Sequence, residues 1–78
     1  MMNASEKARI LKQIDEVCGP ASRMPKVVIN SSREDLIAWL CWADHNGCWT
    51  DEDSIAAGWS PLTLDEAWQC LDQMSKDD

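Results

Sequence analysis

Two stretches of the chain carry apolar residues at helical spacing. Ile10, Leu11, Ile14, Val17 and Cys18 fall on one side of a helix, and Leu64, Ala67, Trp68, Leu71 and Met74 form a second stripe. A third stretch breaks this pattern. Residues 36–43 read LIAWLCWA, eight apolar positions in a row. A helix that is apolar all round is buried on every side. This run therefore predicts a central helix with Trp39 and Trp42 wrapped into the core, or a face left for a second copy or a partner. A fourth stretch, Lys26-Val27-Val28-Ile29-Asn30, is short, β-branched and bounded by turn formers, so it predicts a lone strand. A strand needs a ladder partner, either Cys48-Trp49-Thr50 or the same strand of a second copy.

Polar punctuation sets the limits of these elements. Asn3 with Glu6 opens the first helix, and Gly19-Pro20 ends it, with residues 20–25 as a loop. Ser31-Ser32, followed by Glu34 and Asp35, opens the second helix, which runs to about Ala43. Thr50 with Asp53 is a capping box for a short third helix that Gly58 closes, with Trp59 placed to fold back onto it. Thr63 with Glu66 opens the fourth helix, and the tail Ser75–Asp78 should fray. The expected fold class is mainly α. It is a small single domain over residues 1–78 of four short helices with one short β-strand, in at most a minimal two-stranded ladder.

Composition agrees with a folded chain. With 78 residues, the domain is near the lower size limit for an unaided apolar core. Hydrophobic residues make up 45%, and five Trp with no Phe or Tyr make tryptophan the main bulky packing unit. No segment approaches the roughly 18–20 apolar residues of a membrane span, and the charged start lacks the apolar region of a signal peptide. A cytoplasmic location follows by default, with Cys18, Cys41, Cys48 and Cys70 as reduced thiols.

Charge changes the picture more. Residues 1–33 are net +3, whereas residues 34–78 hold eleven acids against Lys76 alone, net −10, within a total of −7. Such a half repels nucleic acid and membranes and attracts basic surfaces.

The chemistry-bearing residues concentrate in Ala43–Asp53, ADHNGCWTDED. With Gly47 set at the sixth position, this stretch resembles an EF-hand calcium loop. Asp44, Asn46, Trp49, Thr50 and Asp53 then fall on the third, fifth, eighth, ninth and twelfth positions. It departs from that family where Trp42 stands in place of the first carboxylate and Asp53 in place of the chelating Glu. Cys41, His45 and Cys48, with Cys70 or Cys18, form a sparse zinc pattern without paired knuckles. A Cys48–His45 or Cys41–His45 nucleophile would need an oxyanion pocket that no loop of the sequence supplies. The remaining reading is a corner, with Asn46-Gly47 as a positive-φ turn and Thr50 capping the next helix. The expectation is thus no enzyme, no cofactor and no metal.

Seven of the eleven acids, Glu34, Asp35, Asp51, Glu52, Asp53, Asp65 and Glu66, lie in or beside first helical turns, where the helix dipole favours them by ~0.3–1 kcal/mol each. Dipoles do not account for the missing bases, since last turns would welcome them. In size and charge the chain resembles the small acidic inhibitors of phages and mobile elements, anti-CRISPR proteins and other nucleic-acid mimics. That resemblance implies a stoichiometric blocker occupying a basic, nucleic-acid-binding surface of a partner defence complex, without binding nucleic acid or membrane itself. A structural metal-binding accessory protein and an acidic housekeeping protein are the alternatives. The residues expected at the partner surface are Asp44, Asp51, Glu52, Asp53, Asp65, Glu66 and Asp72. A homodimer through Leu36–Ala43 or Val27–Ile29 is a further expectation.

Overall fold

The short polar side chains ahead of each apolar stretch do act as helix starts. The computed structural model describes residues 2–18, the Cys18 side chain excepted, and 25–76. Among these, four helices follow in chain order: α1 (Ala4–Cys18), α2 (Arg33–Ala43), α3 (Asp51–Ala56) and α4 (Leu64–Lys76). Asn3 Oδ1 accepts from the Glu6 amide at 2.9 Å and opens α1. Ser32 and Asp35 exchange hydrogen bonds in a full capping box at α2. Thr63 and Glu66 do the same at α4, at 3.0 and 3.1 Å. At α3, Thr50 Oγ1 accepts from the Asp53 amide at 3.2 Å. These bonds occupy amide donors that a first turn otherwise leaves without partners.

Helix α3 ends in a paired-bond cap. The Trp59 amide donates to Ser54 O at 2.8 Å and the Gly58 amide to Ile55 O at 3.0 Å, with Gly58 left-handed at φ 83°. The backbone closes as the sequence predicts, but the Trp59 ring does not fold back. It is 63% exposed, and α3, whose one buried residue is Ser54, offers no buried apolar side chain for it to cover. The predicted end of α1 at Gly19-Pro20 and most of the loop 20–25 lie outside the described residues. At the other end, Ser75 and Lys76 are the last residues of α4 instead of a frayed tail. Ser75 is buried and Gln13 of α1 donates to its hydroxyl at 2.9 Å; residues 77 and 78 lie outside the described part.

Helix α4 is the centre of packing and lies against both α1 and α2. Ile10 and Ile14 from α1, Leu36, Trp39 and Leu40 from α2, and Ala67, Trp68 and Leu71 from α4 form one buried cluster. Each large apolar side chain buried in this way contributes about 1.5–3 kcal/mol. Trp39 and Trp42 meet with ring centroids 6.0 Å apart, tilted at 50°. Trp39 is fully in the core, whereas Trp42 is half-buried against it. The core indoles Trp39 and Trp68 have no acceptor for their Nε1 donors among the described residues. Leaving such a donor unsatisfied costs about 1–3 kcal/mol.

One expectation is corrected and another is resolved. First, the segment 26–30 forms no strand, and no strand occurs among the described residues. Val28 uses its ladder groups within the chain: its amide donates to Ser31 Oγ at 2.7 Å, and its carbonyl accepts from the Ser31 amide at 2.9 Å. Cys48-Trp49-Thr50 offers no ladder either, as it lies in a loop between helices. Second, the two readings of the apolar run in α2 divide: one side is wrapped into the core and the other is left uncovered. Leu36, Trp39 and Leu40 face the core, Ile37, Cys41 and Trp42 are half-buried, and Ala38 and Ala43 are exposed. Three helices of this length cannot surround a fourth, and α3 stands off from the rest at backbone level.

Candidate functional site

The uncovered side of α2 faces the start of α3 across an open groove of about 390 Å³. From α2 it is lined by Arg33, Glu34, Ile37, Ala38 and Cys41, and from the other wall by Thr50, Asp51 and Glu52. Its origin lies in the sequence. The eight-residue apolar run puts Ile37, Ala38 and Cys41 on the side that α4 does not reach. The six-residue α3 buries only Ser54 and brings no large apolar residue to cover them. The floor of the groove is therefore apolar and its rim is charged.

Arg33 fixes the width of this groove. Its guanidinium pairs with Asp51, and its Nε donates to the carbonyl of Leu62 in the link to α4. The one cation among the described lining residues is thus engaged. Glu34 and Glu52, one from each wall, are exposed and make no hydrogen bond or ion pair among the described residues. Burial, and secondarily the charge of Asp53, push the Cys41 thiol up from its ordinary value. Cys41 thus stays a neutral, weakly nucleophilic lining group.

The corner between α2 and α3 is built around Trp49. The Asp44 amide caps α2 by donating to Leu40 O at 2.9 Å, and Asp44 Oδ1 accepts from the Asn46 amide at 3.1 Å. Asp44 O accepts from Trp49 Nε1 at 2.9 Å, drawing the indole over Gly47. The expected positive-φ turn at Asn46-Gly47 is corrected here, since Gly58 is the one left-handed glycine among the described residues. Gly47 is required for space: a Cβ there would overlap Nε1 and Cε2 of Trp49. His45 is exposed, while Cys48 is half-buried. Cys41, Cys48 and Cys70 are free thiols; burial, then the charge of Glu66, raises the Cys70 thiol above its usual range. Among the described residues no three His, Cys, Asp or Glu side chains gather as metal ligands.

The predicted contact residues separate by location. Asp51 and Glu52 line the groove, and Asp53 is exposed beside it. Asp44 is turned inward to the corner. Glu66 is held in its capping box, and Asp65 is half-buried next to it. Asp72 belongs to the α1–α4 seam. It accepts from Arg9 Nη1 at 3.1 Å and from Gln13 Nε2 at 3.0 Å, with Lys76 Nζ at 3.4 Å. Burial works against its charge, but the hydrogen bonds of Arg9 and Gln13 and the charges of Arg9 and Lys76 prevail. They hold its carboxyl below the usual carboxylate range.

Glu34 is the groove acid missing from the sequence-derived contact set, which also lacked the apolar lining of Ile37, Ala38 and Cys41. The signal was present, since Glu34 precedes the apolar run by two positions. Its opposition to Glu52 comes only from the way α3 folds back. No protein-family model, characterised protein or solved structure matches the chain. Among the described residues no helix is long and apolar enough to cross a membrane.

Proposed function

We propose that this chain is a non-catalytic acidic binding protein that docks on a basic surface of a partner protein. The surface it covers is one that otherwise holds nucleic acid, so the protein acts as a stoichiometric blocker in the manner of a nucleic-acid mimic. The observation that carries this reading is the charge of the groove. Arg33, the one cation among its described lining residues, is engaged by Asp51, while Glu34 and Glu52 line the groove exposed and Asp53 stands exposed beside it. Their field is left uncountered on that side, and such a field both attracts a basic partner and selects against acidic ones. Duplex DNA carries one charge per ~1.7 Å of its axis, so carboxylates spaced on two helix starts can stand in for part of a phosphate track.

The test is capture of partners from the source cell and its host at low and high salt. It is followed by binding measurements on the identified partner with and without competing duplex DNA. Salt-sensitive capture that DNA competes away supports the reading. The variant Asp51→Asn, Glu52→Gln, Asp53→Asn should bind more weakly by about tens-fold at low salt while remaining folded, with a shallower salt dependence. Full binding by that folded variant would falsify the proposal and leave the acids as helix caps and solubilisers.

A further inference from the structure

We infer that the groove between α2 and α3 is the seat of one arginine side chain of the partner, its aliphatic stem on Ile37, Ala38 and Cys41 and its guanidinium between Glu34 and Glu52. This deepens the acidic-binding reading above and rests on it.

Three features define the occupant. The floor is apolar and open, so it takes a group with a hydrocarbon portion; a bare cation would leave it wet. The rim carries two exposed carboxylates from opposite walls, and its own cation, Arg33, is committed to Asp51 and the Leu62 carbonyl. The occupant is therefore positively charged at its far end. A long side chain with an apolar stem and a cationic head meets both conditions. Arginine fits better than lysine because its planar guanidinium presents five donors and is less strongly hydrated, so it can meet two carboxylates at once over a half-apolar floor. The volume, about 390 Å³, is at the lower end of the roughly 300–1,000 Å³ of ligand pockets, suited to one side chain and not to a whole helix.

The probe is a short, end-capped peptide carrying one arginine among alanines, titrated at low salt into the ¹⁵N-labelled protein. Companion peptides carry citrulline or lysine instead. Citrulline keeps the stem and planar head but lacks the charge. The expected result is saturable shifts at the Glu34, Ile37, Ala38, Cys41 and Glu52 amides. Affinity should be about ten-fold or more weaker for citrulline, and weaker for lysine. Ala38→Trp fills the groove without altering charge and should abolish these shifts. Since Ala38 is exposed, the fold should persist. Ala38→Leu, with a smaller side chain, provides the same test if the tryptophan variant melts early.

Equal binding of arginine and citrulline peptides would overturn the inference. So would shifts spread over Asp65, Glu66 and the α2–α3 corner and unchanged by Ala38→Trp; a diffuse, salt-sensitive pattern of that kind would leave the acidic-surface reading intact. If the groove takes the arginine peptide but the captured partner proves acidic, the functional reading fails and the groove assignment stands.

Discussion

Arg33, the first residue of α2, pairs through its guanidinium with Asp51, the first residue of α3, and so links two helix starts that do not otherwise pack together. Asp51 is half-exposed, which limits the ion pair itself to a few tenths of a kcal/mol. The bond from Arg33 Nε to the Leu62 carbonyl is better shielded. Arg33→Met keeps the stem and removes both bonds, and roughly 1–2 kcal/mol of stability should be lost. The more discriminating measurement is amide exchange: protection in α3 should drop well before that in α1 or α4. Uniform loss across all four helices would show that Arg33 supports the whole core and not the position of α3.

The two described corner glycines should respond differently to alanine. Gly58 needs its left-handed backbone, φ 83°, but a Cβ there would meet open space. Gly58→Ala should cost about 1–2 kcal/mol, and Gly58→Asn less. Gly47 has an ordinary backbone but no room. Gly47→Ala must displace the Trp49 indole and should cost about 1–3 kcal/mol, with loss of the Trp49–Asp44 hydrogen bond. The indole N–H resonance of Trp49 should move in Gly47→Ala and remain in place in Gly58→Ala.

Ser31 takes over the role a neighbouring strand would have had for Val28. Ser31→Ala removes the acceptor of the Val28 amide and should destabilise by about 1 kcal/mol, with faster exchange at that amide. If Val28 instead paired with a second copy in solution, its exchange would depend on protein concentration and not on the Ser31 hydroxyl.

Asp72 makes stability depend on pH at the acid end. Its folded carboxyl titrates below the usual value, held there by Arg9, Gln13 and Lys76. Between that lowered value and the unfolded value of about 3.9, the unfolded chain binds more protons than the folded one, so stability rises with pH. The contribution is complete above the unfolded value and is lost as pH falls through the folded one. Urea midpoints measured from about pH 6 downward should fall less steeply for Asp72→Asn than for the wild type. Parallel slopes would assign the acid sensitivity to other carboxylates.

The elements that are legible in the sequence are those determined by near neighbours. Asn3 with Glu6, Ser32 with Asp35, Thr50 with Asp53 and Thr63 with Glu66 each lie three positions apart, and each pair makes a bond that starts a helix. Gly58 ends α3 through contacts within a single turn. The illegible parts depend on distant partners. The Val27–Ile29 run has strong strand character, yet a strand exists only if another chain segment completes its ladder, and Ser31 removed that option locally. The apolar run 36–43 identifies a packed helix but not which of its sides stays open, because that depends on where α4 and α3 arrive. Asp72 resembled any other surface acid until Arg9, 63 positions earlier, came to lie beside it.

Tryptophan is the sole aromatic type in the chain, with five copies and no Phe or Tyr, and this makes the molecule its own set of internal gauges. The Nε1 protons of Trp39 and Trp68 are sealed in the core without an acceptor, so each meets solvent deuterium only when the helices separate. Trp59 is mostly in water and senses quenchers while the fold is intact. Trp49, tied to Asp44 at the corner, sits between these extremes. Indole exchange and quenching on one unlabelled sample thus separate global opening from movement at the corner, with no reporter group added.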